Sequence, residues 1–259
     1  MITNKPFVLK TIKNNKENKV ILDKSLGFDY TSRVAPNEEN THGHSWDSEK
    51  HSWYDLYMGL YLIDTFKINK KHAIDIGAFK GFYSSVYARH FEKVDSFEPD
   101  PYSFSHGKLN FNRQELENIT LHNKGVWSSN TELDFYCKFT DESKTLVSGQ
   151  STTLKTLEQE EGLTTEVIKA KMVALDSFYF KPSFIKIDAE GSEIEILKGA
   201  TQTLEKHKPL LQIENNTILA NNSEIDQMLL RIGYNKIDLK EHKHVYGNLS
   251  LSDSYYIGK

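Results

Sequence analysis

Residues 72–91 read HAIDIGAFKGFYSSVYARHF, and this stretch decides the fold. It begins with a short apolar run typical of a buried strand, and apolar side chains recur at helical spacing after Gly81. Gly77 and Gly81 lie between the two patterns, where a tight turn needs the conformational freedom of glycine. The stretch therefore predicts a strand, a glycine turn and a helix, the unit from which α/β folds are built.

Similar units follow along the chain. Apolar runs typical of strands begin near residues 93, 119, 131, 171, 184 and 209. Asp100-Pro101 is a favourable pair for starting a helix, and residues 192–195 match a capping box that opens a helix ending near Lys206. The last two runs, YNKIDLK (234–240) and SYYIGK (254–259), have no helix between them and predict an antiparallel hairpin. We therefore predict that residues 72–259 form one mostly parallel sheet covered by helices.

The chain before residue 72 has a different pattern. Residues 47–66 place apolar side chains on one helical face, so we predict an N-terminal helical extension over residues 1–71. Trp46 and Trp53 would share that face, as core residues or as a lid over an acceptor pocket. Residues 139–170 are polar and predict a long loop. His42, His44 and His51 lack a further ligand at suitable spacing, and we predict no metal site.

Composition excludes several classes of protein. The 259 residues are 38% hydrophobic and 26% charged, which indicates one large domain or one domain with an extension. A net charge of −4 argues against binding to duplex nucleic acid. The single Cys137 excludes an intramolecular disulfide. There is no apolar run of about 18 residues, and the N-terminus is too polar for a signal peptide, so we expect a soluble, cytoplasmic protein without a membrane span.

Three carboxylate-bearing motifs carry the chemistry. The glycine turn reads D-x-G-x-x-x-G rather than G-x-G-x-x-G, which argues against a dinucleotide. Glu98 ends the second strand, 98 − 81 = 17 residues after Gly81, where a carboxylate can accept both ribose hydroxyls of a nucleoside. Lys186 and Asp188 interrupt an apolar strand, and a buried charge is costly unless it is paired. This pattern indicates either a functional carboxylate or a mutual salt bridge.

The combination of IDIGAFKGFYS (74–84), SFEPDP (96–101), IKIDAEGSEIEILKGA (185–200) and PLLQIEN (209–215) resembles the FkbM-type methyltransferases. The resemblance covers roughly residues 72–214, and Phe79 stands where that family most often has Asn. It implies a Rossmann-like class I methyltransferase fold with a seven-stranded sheet, S-adenosylmethionine as cofactor, and methyl transfer to an oxygen of a sugar or polyketide. It also implies that the glycine turn faces the methionine end of the cofactor and that Glu98 binds the ribose.

We therefore predict an S-adenosylmethionine-dependent methyltransferase that acts on a hydroxyl of a saccharide or small molecule and does not act on nucleic acid. Methylation of nitrogen, a nicotinamide oxidoreductase and a non-catalytic nucleoside-binding module are the alternatives. Asp188 and Glu190 are the candidate catalytic residues, since a hydroxyl nucleophile needs a proton acceptor. The residues assigned to the cofactor are Asp75, Gly77, Ala78, Gly81, Ser84, Glu98, Pro99, Asn123, Gly125 and Asp188.

Overall fold

The computed structural model describes residues 10–14, 17–21, 50–140, 153, 163–215, 222–246 and 251–259. The strands of these regions are, in chain order, β1 (Lys10–Asn14), β2 (Glu17–Ile21), β3 (His72–Ile76), β4 (Lys93–Phe97), β5 (Ile119–His122), β6 (Gly125–Val126), β7 (Thr131–Thr140), β8 (Leu163–Val173), β9 (Phe184–Ile187), β10 (Leu210–Glu214), β11 (Tyr234–Lys236) and β12 (Asp253–Gly258). The α-helices are α1 (Lys50–Thr65), α2 (Phe82–Tyr87), α3 (Pro101–Arg113), α4 (Glu193–Gly199), α5 (Thr201–His207), α6 (Asn222–Arg231) and α7 (Lys243–Tyr246).

Seven strands form the central sheet, in the order β11-β12-β10-β9-β3-β4-β5. Neighbouring strands from β10 to β5 are parallel, whereas β12 is antiparallel to both β10 and β11. This confirms the predicted seven-stranded, mostly parallel sheet and the antiparallel pairing at its edge. The prediction that no helix separates the last two strands is wrong, because α7 lies between β11 and β12. The chain runs outward from β3 through β4 to β5, and it resumes on the other side of β3 with β9. The boundary between β3 and β9 is therefore the point where the strand order reverses.

The two middle strands are buried on both faces. Every residue of β3 and of β9 is buried, which explains their nearly continuous apolar sequences. The parallel register pairs Asp75 with Lys186, so the two charged residues of these strands become neighbours. Burial of both charges side by side is what makes them tolerable in the centre of the sheet.

A second sheet was not predicted. Strands β6, β8 and β7 form a three-stranded sheet in that order, whereas the sequence indicated a single sheet for residues 72–259. The predicted strand over residues 119–127 divides at residues 123–124, because its first half pairs with β4 and Gly125–Val126 pairs with β8. A Cβ atom at Gly125 would lie 2.3 Å from the sulfur of Met172, so the two strands approach closely at this crossing. Strand β8 begins at Leu163 rather than near residue 171, so residues 163–170 of the predicted loop are strand, and a 3₁₀ turn at Leu175–Phe178 follows its end at Val173.

Helix α1 packs against a face of the central sheet. Leu56, Leu62 and Ile63 are buried in one cluster with Ala73 and Tyr255. This agrees with the helix predicted over residues 47–66. The extension is not wholly helical, because β1 and β2 pair as an antiparallel hairpin that the weak periodicity of the N-terminal residues did not indicate.

Several parts of the N-terminal prediction lie outside the described residues. They include His42, His44 and Trp46, and the side chains of His51 and Trp53 are likewise not described. The division of the chain at residue 72 stays a prediction. Within the described ranges, no helix is long and apolar enough to cross a membrane.

One helix start agrees with the sequence and one does not. Asp100 caps α3 by accepting a hydrogen bond from the amide of Tyr102 at 2.8 Å, as predicted. Ser192 makes no side-chain cap on α4. Instead, Glu193 folds back, and its Oε1 accepts from the amides of Ala189 and Gly191 at 3.1 and 3.2 Å. The predicted single helix is divided at Ala200 into α4 and α5.

Candidate functional site

A cleft of about 250 Å³ lies at the carboxyl ends of β3, β4, β9 and β10. This is the side of an open α/β sheet on which ligands bind, next to the point where the strand order reverses. The predicted site residues in the wall of the cleft are Gly77, Ala78, Glu98, Pro99, Gly125, Asp188 and Glu190. Four other predicted residues, Asp75, Gly81, Ser84 and Asn123, lie behind the wall.

The glycine turn after β3 presents backbone rather than side chains to the cleft. Gly77 has a φ of +78°, and a Cβ atom there would lie 1.7 Å from the carbonyl oxygen of Asp188. The amides of Gly77 and Ala78 both donate to the carbonyl oxygen of Phe97 at 3.0 Å. The turn is therefore held against β4 and β9, and the space above it stays open for a ligand.

Predicted site residues that do not line the cleft hold the glycine turn and the loop after β4 in position. Ser84 Oγ donates to Asp75 Oδ2 at 2.5 Å, inside the protein. Burial raises the pKa of Asp75, although Lys186 and Ser84 act in the opposite direction. Asn123 Nδ2 donates to the carbonyl oxygens of Glu98 and Pro99 at 3.0 and 3.2 Å, which fixes the loop after β4.

Gly81 orders the turn in a different way. It has a φ of +84°, and a Cβ atom there would lie 2.4 Å from the ring of Phe111. The position therefore excludes larger residues on two grounds, the backbone conformation and the close approach of α3.

Glu98 closes one end of the cleft. Its Oε2 accepts from the amide of Phe79 at 2.7 Å and its Oε1 accepts from the amide of Asp100 at 2.9 Å. Burial, followed by the neighbouring charge of Asp100, raises the pKa of Glu98 to about 8. Phe79 has a φ of +48°, which turns its amide toward this carboxyl group. The glycine turn and the loop after β4 are thus both hydrogen-bonded to the carboxyl group of Glu98.

Lys186 and Asp188 form the ion pair that the sequence left open. Lys186 Nζ lies 2.9 Å from Asp188 Oδ2 and 3.8 Å from Asp75 Oδ1. It also lies 4.3 Å from the ring centre of Tyr83. Burial by itself lowers the pKa of Lys186, but the charges of Asp188 and Asp75 outweigh burial and raise it. Asp188 nevertheless lines the cleft, so the ion pair fixes the position of its side chain and leaves it accessible from the cleft.

Glu214 is a site residue that the sequence analysis did not assign. It ends β10, and β10 lies beside β9, so its carboxyl group meets those of Asp188 and Glu190. One oxygen of each of these three side chains lies within 4.8 Å of the others. Among the described residues, no other group of acidic, His or Cys side chains is that close. The only sequence signal was the position of Glu214 at a strand end, which many solvent-exposed acids share.

Two of the three carboxyl groups have raised pKa values. The charge of Asp188 and then burial raise the pKa of Glu214 to about 10. Burial, followed by the charges of Asp188 and Glu193, raises the pKa of Glu190 to about 8. Glu190 and Glu214 are therefore mostly protonated at neutral pH, and the third member, Asp188, lies 2.9 Å from the ammonium group of Lys186. Such a group can share protons or a cation, and the absence of a metal site stays a prediction.

The opposite wall comes from the second sheet and from the long polar segment. Trp127, Phe135 and Met172 bring apolar surface to the cleft. Thr153 also lines the cleft, and its Oγ1 lies 3.1 Å from Ser192 Oγ. The cleft is thus polar along the ends of β9 and β10 and aromatic on the facing side.

A family model described as the methyltransferase FkbM domain matches residues 75–236. The chain belongs to the FkbM methyltransferase family. This confirms the resemblance found in the sequence, and it identifies S-adenosylmethionine as the cofactor of this methyltransferase. The family therefore does not support the alternative of a nicotinamide cofactor. No curated protein matches the chain.

Solved structures of methyltransferases are similar to this FkbM-family chain. One is the methyltransferase FkbM of Methylobacillus flagellatus KT, at 20% identity and a TM-score of 0.46, with 73% of this chain and 43% of that chain covered. This methyltransferase thus matches less than half the length of that protein. Another is a precorrin-6y C5,15-methyltransferase of Geobacter metallireducens GS-15, at 12% identity and a TM-score of 0.46, covering 90% and 95%. A third is an rRNA methylase of Streptococcus thermophilus, at 11% identity and a TM-score of 0.42, covering 81% and 95%.

The residues of this methyltransferase fit the cofactor of its family. Gly77 and Ala78 of the glycine turn line the cleft, and glycine at residue 77 lets the turn approach the backbone of Asp188, with which a side chain would collide. Glu98 lines the cleft beside the turn, where a carboxyl group can accept hydrogen bonds from ribose hydroxyls. We expect the turn to face the methionine end and Glu98 to bind the ribose.

Replacement of Glu98 by Ala should weaken binding of S-adenosylhomocysteine by about 10- to 150-fold at about pH 9, above the Glu98 pKa of about 8, because a hydrogen bond to a charged group contributes about 1.5–3 kcal/mol. Calorimetry on the two proteins measures this change. Glu195→Ala is the control, since Glu195 lies on α4, pairs with Lys198 and is not part of the wall. Unchanged affinity in Glu98→Ala would show that the ribose lies elsewhere.

Proposed function

We propose that this methyltransferase methylates a hydroxyl group of a saccharide or another small polyhydroxylated molecule. The observation that carries the proposal is the group of three carboxyl side chains, Asp188, Glu190 and Glu214, next to the glycine turn. Carboxyl oxygens accept hydrogen bonds from hydroxyl groups, and protonated carboxyl groups also donate them. Trp127 and Phe135 on the facing wall offer apolar surface to a ring of the acceptor.

Asp188 is the residue that we propose as proton acceptor. The acceptor oxygen forms a bond to the methyl carbon as the sulfur–carbon bond breaks, and the electron pair of that bond returns to sulfur. The hydroxyl proton passes to Asp188, whose side chain is held in position by a hydrogen bond from Lys186 Nζ. Much of the rate comes from holding the oxygen in line with the sulfur–carbon bond. Glu190 and Glu214, with their raised pKa values, orient the acceptor through hydrogen bonds.

Two features favour a small acceptor over nucleic acid. The chain has a net charge of −4, and a phosphate backbone would be repelled by the acids that line the cleft. The cleft of about 250 Å³ is a closed-in site rather than an extended surface. Methylation of nitrogen in an amine is the second candidate, because a cationic acceptor would also suit carboxyl groups.

Incubation with methyl-labelled S-adenosylmethionine and a panel of mono- and oligosaccharides, polyols and amines tests the proposal. The expected product carries the label as a methyl ether, which NMR identifies by its carbon shift, and Asp188→Asn forms little of it. Labelled amines would favour nitrogen methylation, and labelling of RNA alone would contradict a small acceptor.

A further inference from the structure

The cleft contains more acidic groups than basic ones. Lys186 is the one basic side chain in the wall that the described residues form, and it is already engaged by Asp188 and Asp75. The charge of buried Lys138, in the second sheet, lowers the pKa of Glu190. It thus partly opposes burial and the neighbouring acids, which raise that pKa. Against these two cations stand Asp75 and the three carboxyl groups at the ends of β9 and β10. Glu190 adds a negative charge above its pKa of about 8, whereas Glu214, with a pKa of about 10, stays mostly protonated there.

The strand order shows where this excess lies relative to the cofactor. Glu98 follows β4, the glycine turn follows β3, Asp188 follows β9 and Glu214 ends β10. Neighbouring strands are separated by about 4.8 Å, so these groups form a row along the edge of the sheet. A nucleoside with its ribose at Glu98 and its sulfur above the glycine turn therefore directs the sulfur toward the acidic end of the row.

Resting on the proposed binding of the cofactor in this cleft, we propose that Glu190, which lies beside Asp188 and Glu214 in the wall, makes the cleft select for positive charge at the reactive sulfur. It then binds the sulfonium of S-adenosylmethionine more tightly than the neutral thioether of S-adenosylhomocysteine. The two ligands share the same adenosine and the same zwitterionic amino-acid end, so their difference isolates the reactive atom. Methyl transfer removes the sulfonium charge, and the attraction that held the cofactor is lost as the product forms.

The size of the preference follows from Coulomb interactions in a partly buried site. A carboxylate several ångströms from a bound cation stabilises that cation. Salt and partial protonation of the carboxyl group both reduce the stabilisation. We expect about tenfold tighter binding of the cationic ligand. Burial raises the pKa of Glu190 to about 8, so pH 8.5 is a suitable condition for the measurement.

Calorimetric titration with three nucleosides at pH 8.5, with EDTA present, tests the inference. The ligands are S-adenosylmethionine, S-adenosylhomocysteine and sinefungin, which carries an ammonium group in place of the sulfonium methyl. In the wild-type protein both cationic ligands should bind about tenfold more tightly than S-adenosylhomocysteine. In Glu190→Gln this ratio should fall toward one, mainly because the cationic ligands bind less tightly. Glu214→Gln replaces a carboxyl group that is mostly protonated at pH 8.5 and should keep most of the ratio.

Glu195→Gln is the matched control, since Glu195 lies outside the wall and pairs with Lys198. It should keep the wild-type ratio. Melting temperatures of all variants show which are folded, and Glu190→Ala replaces Glu190→Gln if the latter is not. Equal binding of all three nucleosides by the wild-type protein overturns the charge preference alone. A ratio that persists in the folded Glu190 variant overturns the assignment to Glu190, and a failure of every nucleoside to bind overturns the cofactor site itself.

Discussion

Replacement of Asp188 by Asn is expected to lower the methylation rate by about 10²–10⁴-fold, the usual contribution of a positioned general base. Binding of S-adenosylhomocysteine should change little, because the amide keeps the size of the side chain and the glycine turn contacts only the backbone of residue 188. The measurement is the rate of label transfer at saturating cofactor, together with calorimetry on the same preparation.

Glu190→Gln provides the comparison within the same turn. Glu190 is mostly protonated at neutral pH, since burial raises its pKa to about 8, and an amide can replace a neutral carboxyl group as a hydrogen-bond donor. We expect a loss of less than about tenfold at pH 7, well below the effect of a lost base. Full turnover in both variants would show that the pair is structural and that another group accepts the proton.

Replacement of Asp95 by Asn is expected to destabilise the fold by about 3–5 kcal/mol, as for other buried ion pairs that lose one partner. Asp95 lies on β4, and its two oxygens lie 2.8 Å from His72 Nε2 on β3 and 2.8 Å from His122 Nε2 on β5. Lys93 Nζ lies 2.7 Å from Oδ2. The carboxylate thus joins three adjacent strands while only 2% of its side chain is exposed.

The expected fall in melting temperature is about 6–20 °C, at about 2–4 °C per kcal/mol for a chain of this size. Asp64→Asn is the control, because the Asp64–Lys70 pair has a similar distance of 2.7 Å but is exposed. Its effect should stay within about 0.5 kcal/mol. A similar small effect for Asp95→Asn would show that the His72 and His122 contacts do not stabilise the sheet.

The free energy of unfolding should depend on pH because of the same Asp95 carboxylate. Burial alone would raise the pKa of Asp95, but hydrogen bonds from His122, His72 and Lys93 outweigh burial and lower it. A lowered folded-state pKa contributes stability that is present above the unfolded value of about 4 and is lost as pH falls below it. The stability difference between the wild-type protein and Asp95→Asn should therefore shrink as the pH is lowered from 6 to 3.

The sequence by itself determined the features that depend on short-range pattern. The glycine turn between β3 and α2, the cap of α3 by Asp100 and the antiparallel pairing of β11 and β12 could all be predicted. Each depends on residues that are close along the chain, where periodicity, glycine and capping side chains act directly. The family resemblance depends on the same local stretches, which is why it also identified the cofactor and the position of Glu98.

Only the tertiary structure decided which strands pair and which side chains meet. Gly125–Val126 left the central sheet because its backbone pairs with β8, which lies far along the chain. Glu214 joined Asp188 because β10 lies beside β9, and Asp75 turned inward because the register places it next to Lys186. A periodic sequence pattern indicates whether a residue is buried, but it does not indicate which residues pack against it. The acidic end of the cleft therefore arises from strand order, since that order brings together carboxyl groups that are 24 to 26 residues apart (214 − 190 and 214 − 188).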